Sequence, residues 1–311
     1  MTSPRPIRRS ARGALTVLLV GPLVACASYN ERTGEALRAF ESGRFARAEE
    51  RFGDALAPDV PFLAGVERGM VALVAGNWGG AVEYFTAAAE AVKEVEREAL
   101  ISPKNAGELL TGWAINESFS GYDGEGYERA MLHACLGLAY LARGEFQDTL
   151  VEVRLATRLL ETEEKLYETE YRAGGLGHAL SAISYELRGD PSDAYIDYAR
   201  MAEKDLAPAL VGPALVRLSR ALGRTDELEK WTARYGEAGS PADGAASVIL
   251  IAGVGLGPFK EEKRLDIPTS DGVLSWSVPS YLERPQPVSR LELEAVNLDA
   301  RVSSVVVEDV G

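Results

Sequence analysis

Few residues of this 311-residue chain combine a reactive side chain with a spacing that chemistry could use. Two cysteines and two histidines leave little for a disulfide framework or a histidine-based metal or acid–base site. His133 and His178 stand in different segments with no ligand spacing around them, and both read as structural histidines. Cys135 falls on the apolar face of a helical stretch, where a thiol is buried and inert rather than nucleophilic. Gly253-Val254-Gly255-Leu256-Gly257 has the outline of a phosphate-cradling loop, but such loops hand the phosphate to a helix N-terminus. Here Pro258 and a strand-like run follow, so a tight turn between strands is expected. The acidic run Glu161, Glu163, Glu164, Glu168 and Glu170 reads as a solvated helix face, with weak Ca²⁺ binding as the alternative. With no nucleophile–base pairing and no metal spacing, the expectation is a non-enzyme that takes no cofactor and no metal.

The one cysteine with an assigned chemistry is Cys26. It closes a leader of three parts: Arg5, Arg8, Arg9 and Arg12 without an acid, the apolar run Ala14–Val20, and Leu23-Val24-Ala25-Cys26. The run is too short for an ordinary transmembrane helix and reads as an export signal. Its last four residues resemble the bacterial lipobox, in which the cysteine is lipidated and becomes the new N-terminus. A thioether diacylglycerol with an amide-linked chain (palmitate, for instance) anchors stably, since each buried methylene contributes about 0.8 kcal/mol. Ala27-Ser28 lacks the aspartate that retains such proteins at the inner membrane. The expected location is the outer membrane, facing the periplasm.

Charge narrows the partners. Without the four leader arginines, 29 of the 33 basic side chains remain against 47 acidic ones, a net charge of −18. Such a surface repels phosphate backbones and excludes nucleic acid as an expected partner.

The elements that organise the chain are helical pairs. In Gly121–Leu160, Met131, Cys135 and Ala139 stack at four-residue spacing, and Phe146, Leu150, Val153 and Leu160 form the facing stripe. Gly137 permits close approach, Tyr140 fills the gap and Gly144 turns the chain, as a tetratricopeptide (TPR) unit requires. Turn glycines recur at Gly43, Gly76, Gly144, Gly189 and Gly223. Gly69, like Gly137, holds the close-contact position, and Pro191 opens a second helix where its missing N–H costs nothing. Units are expected near residues 29–60, 62–100, 128–160, 174–205 and 208–235, the fifth as a capping pair. Between the second and third, Leu109, Leu110, Trp113, Ile115 and Phe119 mark an insertion that packs on the scaffold.

After Tyr235 the period changes. Residues 237–246 read as a linker, and Ser247–Ala252, Arg264–Pro268, Gly272–Pro279, Arg290–Val296 and Val302–Val307 as strands. The expected fold class is therefore α+β: a leader over 1–26, an all-α TPR-like superhelix over 27–236, and a small, mostly antiparallel β-domain over 247–311. In such a superhelix the first helix of each unit lines the concave groove. The groove residues are Leu37, Phe40, Leu63, Val66, Met70, Leu73, Val74, Met131, Leu138 and Leu141, continued by Ile183 and Leu187. They are aliphatic rather than basic, which suits an amphipathic helix or apolar strand of a partner, or packing by the protein's own insertion or β-domain.

Asn116-Glu117, Tyr122, Gly124-Glu125, Tyr127-Glu128, Leu132, Tyr140-Leu141, Gly144 and Val151-Glu152-Val153-Arg154 resemble the signature of an uncharacterised family of bacterial TPR-like lipoproteins. Gly255-Leu256-Gly257-Pro258-Phe259-Lys260 looks like its second signature. Members are often encoded near outer-membrane activators of peptidoglycan synthases. The resemblance implies work in the envelope, and the leading expectation is a lipid-anchored adaptor that binds an envelope protein or peptide segment during cell-envelope assembly or peptidoglycan synthesis. The alternatives are a structural part of an envelope secretion or export assembly and, behind it, an envelope polysaccharide enzyme.

Overall fold

The computed structural model describes residues 29–101, 122–167, 174–237, 249–253, 259–269, 272–282, 292–295 and 300–303. The leader with Cys26, the insertion Leu109–Phe119 and the linker at 238–246 lie outside the described residues.

Ten helices form among the described residues: α1 (Tyr29–Glu41), α2 (Phe45–Leu56), α3 (Pro61–Val74), α4 (Trp78–Ile101), α5 (Gly126–Ala142), α6 (Phe146–Tyr167), α7 (Gly175–Arg188), α8 (Pro191–Glu203), α9 (Pro208–Ala221) and α10 (Thr225–Tyr235). Each helix packs on the next, and α3 and α7 also touch α5, as a stack of helical hairpins demands. The five turn glycines, Gly43, Gly76, Gly144, Gly189 and Gly223, all have φ between +66° and +81°. A residue with a Cβ is strained there, so glycine ends each first helix.

Small residues set how closely the hairpins close. A Cβ on Gly69 would lie 2.5 Å from the Phe85 ring, and one on Gly137 would lie 2.9 Å from Val153 Cγ1. Around these contacts the core of the described residues divides into three clusters. Ala36, Phe52 and Leu56 fill the first, Phe62, Phe85, Leu132, Cys135 and Leu136 the second, and Tyr198, Met201, Leu215 and Trp231 the third. The fifth pair carries more than a turn. Trp231 is buried and donates from Nε1 to Tyr195 Oη at 2.9 Å, and Gly212 accommodates the Tyr235 ring.

The C-terminal expectation fails. Among the described residues four strands occur, but β1 (Phe259–Thr269) pairs only with β2 (Gly272–Leu282), and β3 (Glu292–Ala295) only with β4 (Ala300–Ser303). Both ladders are antiparallel, with Leu265 opposite Trp276 and Leu293 opposite Val302. The described residues thus form an all-α repeat fold trailed by two separate hairpins, and the α+β class with a four- or five-stranded β-domain is overturned. Ile249, Leu250 and Ile251, expected in a buried strand, are in none and are 55%, 67% and 39% exposed. The physical reason is one of pairing distance: each ladder joins strands adjacent in the chain, whereas joining one hairpin to the other closes a longer loop at a greater entropic cost.

Candidate functional site

The anticipated groove residues share one property: none of the ten is fully buried. Leu37, Phe40, Leu63, Val66, Leu73, Met131, Leu138 and Leu141 are half-buried, while Met70 is 38% and Val74 53% exposed. They come from α1, α3 and α5, the first helices of three successive pairs. Leu63, Val66, Leu73 and Met131 rest against the second core cluster, and Leu37 and Phe40 against the first. The row is therefore built on rigid packing beneath and keeps apolar surface above. Of the two fourth-unit residues, Ile183 is buried and Leu187 exposed.

Acidic groups sit beside this row. The Tyr29 hydroxyl donates to Glu67, and the Tyr122 hydroxyl to Glu128. Burial pushes the Glu67 carboxyl above the usual range, and the charge of Glu128 adds to that rise. The chain preceding α5 is pinned locally: Glu128 accepts from the Glu125 N–H at 2.8 Å, Arg129 donates to the Gly124 carbonyl, and Tyr122 meets the Phe62 ring at 6.3 Å.

Both histidines prove to be paired with acids that sequence reading missed. His133 donates from Nδ1 to Glu152 Oε2 at 2.6 Å, and its Nε2 lies 3.1 Å from Glu96 Oε1. Burial alone would lower the imidazole pKa, but the bonds to Glu152 and Glu96 and their charges outweigh it and raise the pKa to about 9. The ring is thus a buried cation that ties α4 and α6 to α5. His178 lies with Nδ1 3.0 Å from Asp197 Oδ1, while the Ser181 hydroxyl donates to Asp197 Oδ2 at 2.6 Å. The serine bonds the carboxylate rather than the imidazole, so the trio is not ordered as nucleophile, base and orienting acid. A signal for both pairs was present. Each histidine stands 11 residues before a turn glycine and each acid 8 after it, which places His133–Glu152 and His178–Asp197 in one repeat register.

His178 also borders a half-open cleft of about 300 Å³ between α6, α7 and α8. Arg154 and Arg158 line it from α6, Ser181 from α7 and Arg200 from α8. A neighbouring lobe of about 270 Å³ shares Thr157, Glu161, His178 and Arg200 and reaches Lys204. Glu164, from the anticipated acidic run, holds Lys204 at 2.8 Å, and Glu161 lines both lobes. Glu168 and Glu170 lie outside the described residues. Among the described residues, no group of three or more His, Cys, Asp or Glu is arranged to hold a metal ion, and no helix is long and apolar enough to cross a membrane. Cys135 is buried in the second core cluster.

No family model matches the chain, so the likeness to the TPR-like lipoprotein family rests on its motif residues alone. No curated protein matches either. Among solved structures, PilW, described as a widely conserved type IV pilus biogenesis factor, aligns over 66% of this chain and 90% of its own. The identity is 15% and the TM-score 0.30, too loose a superposition to carry any inference about this chain.

Proposed function

We propose that this chain is a protein-binding adaptor of the bacterial envelope, tethered to the outer membrane through a lipidated Cys26 and facing the periplasm. The observation that supports it is the half-exposed aliphatic row on α1, α3 and α5, running from Leu37 to Leu141. Half-exposed apolar side chains on a packed scaffold are what an amphipathic helix or an apolar strand of a partner requires. Binding there is by shape and burial, with Glu67 and Glu128 beside the row disfavouring acidic segments. The leader and its lipobox-like end support the address, and the strongly acidic mature surface keeps nucleic acid out. Within that role the partner is an envelope protein or peptide segment serving envelope assembly or peptidoglycan synthesis, and the chain itself performs no chemistry.

The test substitutes Met70 and Leu138 with glutamate in the full-length protein. Thermal melting and crosslinking from membranes are then read together. The adaptor reading expects an unchanged melt and loss of the stoichiometric crosslinked partner. If the variant unfolds, the row is internally packed. If fold and partner both persist, binding lies elsewhere. Turnover of purified cell wall by the wild type would replace the adaptor with an enzyme.

A further inference from the structure

The cleft between α6, α7 and α8 belongs neither to the apolar row nor to the core, and its chemistry runs against that of the chain. In a protein of formal net charge −14, three arginines and a histidine converge on one cavity. Each helix contributes a face by its own periodicity. Arg154 and Arg158 are four apart on α6, and His178 and Ser181 three apart on α7. Asp197 and Arg200 are three apart on α8.

The acids of the cleft are partly committed. Asp197 accepts from His178 Nδ1 and from Ser181 Oγ, which orients the imidazole. Its distance to Arg200 is 3.9 Å, a loose approach. With Nδ1 engaged, Nε2 is the ring atom left for a ligand, and it makes no hydrogen bond to a described residue. Arg154 bonds the Tyr185 hydroxyl with one amino group, and the Arg158 side chain makes no ion pair or hydrogen bond to a described residue. The hydroxyl protons of Ser181 and Thr157 are spent on Asp197 and on the Val153 carbonyl. The donors remaining to the cavity are therefore guanidinium N–H groups, while His178 Nε2 is left as an acceptor for a ligand P–OH.

We propose that this cleft binds a phosphate group, carried by a small molecule, through Arg154, Arg158, Arg200 and His178. A planar carboxylate is satisfied by a single guanidinium in a bidentate pair. Guanidinium groups arriving from two helices, with an imidazole between them, match a tetrahedral oxyanion whose oxygens point several ways. A cavity of about 300 Å³ sits at the lower end of small-ligand sites. It admits the phosphate and a short attached portion. Glu161 in the lining disfavours a ligand that brings further negative charge.

The two histidines make the test site-specific. Full-length protein in detergent, labelled in its imidazole rings, is titrated with inorganic phosphate and separately with acetate. NMR is read at His178 and at His133, which serves as an internal control. Phosphate should move the His178 resonances in a saturable way, leave those of His133 in place, and outcompete acetate. Arg158→Ala should weaken phosphate about tenfold, the loss of one charge-assisted hydrogen bond, while Arg47→Ala on α2 changes nothing. Glu161→Gln should tighten binding, a gain that damage to the fold cannot imitate. No His178 shift, equal shifts at both rings, acetate as effective as phosphate, or an unchanged affinity in Glu161→Gln would overturn the proposal.

Discussion

Replacing His133 with glutamine should change how stability depends on pH. The ring is buried against Glu152 at 2.6 Å and Glu96 at 3.1 Å, with its side chain 4% exposed, so solvent screens the contacts little. Its pKa rises from 6.5 to about 9 on folding. A group whose folded-state pKa is raised contributes stability that is complete below the unfolded value. That contribution is lost as pH climbs through the folded one. The rise corresponds to about 3 kcal/mol, present at pH 6.5 and gone above pH 9. The magnitude agrees with the 3–5 kcal/mol or so that breaking a buried ion pair costs. Urea unfolding followed by far-UV circular dichroism, at steps from pH 6 to 10, measures the difference between wild type and His133→Gln. That difference should shrink by about 3 kcal/mol across pH 6.5–9. A difference that stays constant, or grows, would refute the reasoning. So would NMR showing the His133 ring neutral at pH 7.5.

Two further predictions follow from packing and from the leader. Gly69→Ala sets a Cβ 2.5 Å from the Phe85 ring, which should cost about 1–3 kcal/mol by overpacking. Gly137→Leu should cost a similar amount against Val153, and an unshifted melting temperature in both would show that the hairpins close less tightly than described. Cys26→Ser should release the protein from membranes or leave its leader uncleaved. Unchanged detergent partitioning together with an unchanged N-terminal mass would remove the lipid anchor from the proposed function.

Much of the helical part was legible because its constraints are local. Gly43, Gly76, Gly144, Gly189 and Gly223 mark turns that need a positive φ, and every one of them has it. Gly69 and Gly137 stand at the close-approach position of their pairs, where the facing Phe85 and Val153 leave no room for a side chain. Pro191 opens α8. The C-terminal strands misled for a related reason. Alternation along a segment reports its tendency to extend and says nothing about what it pairs with. Local hairpins formed between strands adjacent in the chain, and among the described residues no ladder joins one hairpin to the other. The histidine–acid pairs lay between these cases. The shared register of His133–Glu152 and His178–Asp197 is written in the repeat. Seeing that it mattered, however, required knowing that those positions face each other across the hairpin. The arginine-lined cleft was not legible at all. Arg154, Arg158 and Arg200 are ordinary charges on their own helices. They converge because α6, α7 and α8 pack side by side, which core packing decides rather than any property of the arginines.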